Sequence, residues 1–111
     1  MIHDTASNAA QLISLRETLP PFAYDDLLFE LELGKVEDRP LHISGAGNAF
    51  LGQWKGQLKH GRGAWIRHYK DGEGDLFEGY FCEGKREGTG RMLYYDGTTY
   101  EGAWKNDTWS G

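Results

Sequence analysis

Apolar residues change their spacing near Leu41. Before it, Leu12, Ile13, Leu15 and Leu19 fall on one side of a helix that Pro20-Pro21 would stop, with Asn8 as the expected cap and Gln11 three residues on. Tyr24, Leu27, Leu28 and Leu31 also fit helical spacing, with Asp25 and Asp26 before them and Gly34 after them. Phe29-Glu30-Leu31-Glu32-Leu33 alternates as a strand would, so this segment reads as helical or extended, with helix favoured. After Leu41 the alternation becomes general. Phe77, Gly79 and Phe81 point one way while Glu78, Tyr80 and Cys82 point the other; Gly88, Gly90, Met92 and Tyr94 share one face of a return segment. A β-hairpin follows, reversed at Glu83 to Glu87, and Asp96-Gly97 turns the chain again.

The alternating pattern repeats. Tyr100-x-Gly102-x-Trp104 restates Phe77-x-Gly79-x-Phe81 at an interval of 23 residues, and Phe50-x-Gly52-x-Trp54 precedes it by 27. Gly61-x-Gly63 likewise matches Gly88-x-Gly90, and the four extra residues are best placed in the loop from His68 to Gly74. Leu41 to Phe50 has the outline of a further half-unit, with Gly47 where Gly97 stands. Such a period marks stacked repeats, in which the rings of one hairpin fill the gaps left by glycines beside it. A lone hairpin is marginal in water, so stacking must supply its core.

Tyr/Phe-x-Gly-x-Trp/Phe, a reversal, Gly-x-Gly and an Asp-Gly before the next aromatic together resemble the MORN (membrane occupation and recognition nexus) repeat. The resemblance covers about residues 41–111. It departs at Gln57, which stands where Gly84 does, with Gly56 one place early. It implies a mainly β fold, a stack of two to three hairpins (50–76, 77–99 and a partial 100–111), behind an acidic leading segment, 1–40, that caps the stack or binds a partner. Similar repeats occur in ciliary and cytoskeletal scaffolds, in junctional membrane proteins and in phosphatidylinositol phosphate kinases.

Composition agrees with that boundary. Of the 16 glycines all but Gly34 lie from Gly45 onward, as do all four tryptophans. Eight acids against three bases in residues 1–49 account for the whole net charge of −5, which makes nucleic acid a poor partner. One local exception is basic: Lys55, Lys59, Arg62, Arg67 and Lys70 follow one another with no acid between Phe50 and Lys70, a candidate footprint for anionic lipid or an acidic protein surface. Solvated strand positions explain the run as well. Cys82 stands alone, no signal-like apolar region opens the chain and no apolar run approaches a membrane span, so an intracellular, reducing compartment is expected.

Candidate chemistry is weak. Asp71-Gly72-Glu73-Gly74-Asp75 spaces carboxylates as a calcium loop does, but its sixth position is Leu76 instead of glycine and its twelfth is Cys82 instead of glutamate. The Gly-x-Gly pairs lack the third glycine or the Gly-Lys-Ser/Thr of a phosphate cradle. His42 and His68 have no spaced ligand partners, His60 suits a turn, and Cys82 has no histidine beside it in sequence. Neither catalysis, nor a cofactor, nor a metal is expected.

Two functions remain. In the favoured one the chain is a non-catalytic scaffolding module, a small accessory subunit of a eukaryotic multiprotein assembly, axonemal or cytoskeletal. Tyr100, Trp104 and Trp109 are candidate anchors beside a last strand expected to lack a return partner, an edge open to another chain or to self-association. Leu27, Leu28 and Leu31 are candidates in the leading segment. The alternative is a peripheral phospholipid-binding module that uses the basic run.

Overall fold

The computed structural model describes residues 5–44, 48–68 and 74–110, with side chains from Gln11 onward. It is mainly β: one open antiparallel sheet of eight strands, with two short helices. The helices are α1 (Thr5–Glu17) and α2 (Leu27–Leu33). The strands are β1 (Glu37–Asp38), β2 (His42–Ile43), β3 (Ala49–Lys55), β4 (Leu58–His68), β5 (Gly74–Cys82), β6 (Lys85–Tyr94), β7 (Thr99–Lys105) and β8 (Thr108–Trp109). From β3 to β8 each strand pairs with the next in sequence, while β1 and β2 both pair with the outer edge of β3.

Turn chemistry sets the register of each hairpin. Glu83 and Gly84 have φ of 48° and 89°, and Asn106 and Asp107 have 50° and 71°, the two positive values that a type I′ turn requires. Between β3 and β4 only Gly56 is positive, at 59°. A turn with glycine first fits that sign pattern, which accounts for Gln57 in the second place. Both larger hairpins also slip register at matching points, between Gly52 and Trp54 and between Gly79 and Tyr80. The irregularity therefore repeats with the sequence.

One face of the sheet carries the rings. Phe50, Phe77, Phe81, Met92 and Trp104 are buried there, with Trp54, Trp65, Tyr94 and Tyr100 packed around them. Trp54, Phe50, Phe81, Phe77, Trp104 and Tyr100 form a continuous edge-to-face series with centroids 5.1 to 5.6 Å apart. Each such contact adds about 0.5–1.5 kcal/mol beyond area burial. Glycines make the series fit: a Cβ on Gly63 would lie 2.5 Å from Phe50 Cε1, and one on Gly79 would lie 2.7 Å from Phe77 Cζ.

The leading segment covers the opposite face. Leu12 of α1 packs with Leu76 and Leu93, flanked by Leu15, Leu19 and Ile66. This helix starts no later than Thr5, so Asn8 lies inside it and is not its cap. It ends at Glu17, before Pro20. Asp26 caps α2 by accepting from Phe29 N at 3.1 Å, and Gly34 closes it with φ of 73°. The choice between helix and strand for residues 29–33 thus resolves to helix. Among the described residues no helix is long and apolar enough to cross a membrane.

Candidate docking surfaces and the polar clamp

Polar strand residues on the covered face hold the leading segment in place. Glu78 is buried and accepts from Arg16 Nε at 2.8 Å and from Arg91 Nη2 at 2.9 Å; Arg91 Nη1 donates to the Pro20 carbonyl at 2.7 Å. The Tyr24 hydroxyl donates to Gly63 O at 2.9 Å. Further along, the Tyr80 hydroxyl donates to Glu30 and accepts from Asp26 N, while Arg62 clasps both oxygens of Glu30 at 2.9 Å. Burial and the Glu30 hydrogen bond push the Tyr80 phenol up to about 12, and burial raises Tyr24 further. Glu30 is held below the usual carboxylate range by Arg62 and then by Tyr80.

His60 joins this clamp to the β5–β6 turn. Its Nδ1 accepts from Glu83 N at 2.9 Å, which leaves Nε2 to carry the proton toward Leu33 O, 2.8 Å away. The ring is buried. It thus ties the β5–β6 turn to the end of α2.

Helix α2 is attached by one side only. Phe29 meets the Tyr80 ring at 5.4 Å, Glu30 is clasped as above, and Leu33 is buried. Leu27, Leu28 and Leu31 turn outward and are 65%, 77% and 78% exposed. Three exposed leucines on seven residues form an apolar surface with no cover among the described residues.

The C-terminal anchors divide. Trp104 is buried, with its indole N–H donated to Gly90 O at 3.2 Å, so it supports the surface from beneath. Trp109 is 53% exposed and stacks on Tyr100 at 4.2 Å with the rings nearly parallel. The expectation that β7 lacks a return strand is corrected. Asn106-Asp107 turns the chain so that Lys105 pairs with Thr108 and Trp104 with Trp109, and Ser110 N donates to Ala103 O at 2.9 Å. Asp107 fixes this turn through Arg86, accepting from its backbone N at 3.0 Å and from Nε at 2.8 Å.

Among the described residues the basic run is divided between the two faces of the sheet. Lys55 pairs with Glu83 at 3.2 Å, Arg62 with Glu30, and Arg67 with Asp75 at 2.8 Å. Arg62 lies on the covered face, whereas Lys59 and Arg67 lie over rings of the other. Lys70 and the residues 69–73 of the acidic loop lie outside the described residues. No group of His, Cys, Asp and Glu suited to a metal occurs among the described residues. Cys82 is half-buried, and burial raises its thiol.

No family model matches this chain, and no curated protein does.

Proposed function

We propose that the chain is a MORN-type repeat protein acting as a non-catalytic scaffold, an accessory subunit of a cytoskeletal or ciliary multiprotein assembly. The observation that carries this reading is α2, which docks through Phe29, Glu30 and Leu33 while presenting Leu27, Leu28 and Leu31. A helix held by an ion pair and a ring on one side leaves its other side open to a partner. Trp109, stacked on Tyr100, supplies a second aromatic contact at the far end of the sheet. The repeat reading draws support from the matching register slips of the two hairpins and from rings seated over glycines.

Ion pairing in the basic run favours protein over lipid. Lys55, Arg62 and Arg67 each have a carboxylate, so few charges are left to meet an anionic surface. Gentle isolation of the native protein, followed by measurement of the mass of its particle and identification of its companions, tests the proposal. A defined particle far above 12.5 kDa with recurrent protein companions is expected. Recovery as a lone chain, on membranes or in solution, would reject it.

A further inference from the structure

Among the described residues, four cations lie over rings of the uncovered face, and three of them have a carboxylate. Arg39 pairs with Glu37 at 2.7 Å, Arg67 with Asp75 at 2.8 Å, and Arg86 with Asp107 at 2.8 Å. Lys59 has none. Its ammonium stands 4.4 Å from the centre of the Trp65 ring, 5.3 Å from Phe50 and 5.9 Å from Trp54. Burial makes this ammonium hold its proton less tightly, an effect that the more distant Asp107 opposes. A half-buried cation caged by rings but lacking an anion is an incomplete ion pair.

The same Trp65 ring also carries Arg67, at 5.2 Å, and Arg67 in turn lines a groove of about 490 Å³. Met92 and Trp104 line it, between the ion pairs Arg67–Asp75 and Arg86–Asp107. Both walls are therefore close to neutral, which leaves Lys59 as the uncompensated cation over these rings among the described residues.

We infer that the uncovered face binds an extended peptide segment of a protein partner, with a single Asp or Glu of that segment seated on Lys59 and an adjacent apolar side chain in the groove. The inference rests on the protein-interaction reading above and adds the chemistry of the partner. One carboxylate matches one free ammonium. A phosphoinositide headgroup would bring several charges to a groove that also presents the half-exposed carboxylate of Asp107. An apolar side chain next to the acid matches the ring floor.

The full chain, immobilised and panned with phage-displayed random dodecapeptides, is expected to select sequences with one acid beside an apolar residue. Synthetic copies are then titrated by fluorescence anisotropy. Lys59→Gln should weaken binding about tenfold or more, the usual worth of a hydrogen bond to a charged group. Lys59→Arg and Lys55→Gln should stay within about threefold on the same scale. Changing the peptide's acid to its amide should cost as much as Lys59→Gln, and this arm needs no variant of the chain. Selected peptides indifferent to both changes would overturn the Lys59 site and leave the scaffold reading standing. Failure to enrich any peptide would overturn the site as well. Binding only to phosphatidylserine vesicles would overturn both readings.

Discussion

At Gly79 a Cβ would stand 2.7 Å from Phe77 Cζ and 2.6 Å from the Cα of Gly90, so neither ring nor backbone has room to yield. Gly79→Ala should therefore cost about 2–3 kcal/mol in urea unfolding, through overpacking. Glu78 presents the opposite case, a buried charge whose partners can be removed one at a time. Glu78→Gln leaves the buried Arg91 with only the exposed Glu101, 3.9 Å away, as counter-ion and should cost about 3 kcal/mol, whereas Arg16→Ala removes a guanidinium that is 43% exposed and should cost under about 1 kcal/mol. Equal losses from the two variants would show that Glu78 is not the centre of the clamp. The ring and glycine positions were legible in the sequence because they recur within one unit. Glu78 and Arg91 were not, because Arg16 and the Pro20 carbonyl that complete their site lie 62 and 71 residues away.

The clamp between α2 and the sheet should respond to alkali. Tyr80 is raised in the folded chain to about 12 from an ordinary value of 10.0, so its contribution is complete below about pH 10 and is lost as pH rises toward 12. For a phenol so fully buried, the loss is roughly 2–3 kcal/mol. Glu30 works in the other direction: being depressed, it stabilises above the ordinary carboxylate value and ceases to do so as pH falls through its folded value. Urea midpoints measured at pH 8, 10 and 11.5 should fall less for Tyr80→Phe than for the natural chain. Parallel declines would place the alkaline sensitivity elsewhere. At this scale the hairpins and α2 could be read from alternation, caps and turn residues. Strand β8 could not, because two residues carry no periodic signal and Asn106-Asp107 adopts positive φ without a glycine.

Across the whole molecule, the leading segment and the repeats form opposite faces of one sheet, within extents of 46 × 28 × 22 Å. Their composition divides near Leu41, yet α1 buries Leu12 against strands of the middle hairpins. Sequence showed the boundary but not the docking, since the covering hydrogen bonds of the clamp join residues 27 to 71 positions apart and follow no local period. Once that docking is formed, Leu27, Leu28 and Leu31 remain as an exposed apolar surface opposite the docked side of α2. Replacing two of them by acids should spare the fold, because neither is buried, and should abolish assembly. The direct test is gradient sedimentation of the tagged chain in extracts of its own cells, natural against Leu28→Glu/Leu31→Glu, with circular dichroism confirming that the variant is folded. The natural chain should travel in a large particle and the folded variant near 12.5 kDa. Sedimentation of the natural chain alone, or of the variant still in the particle, would contradict the scaffold account built on α2.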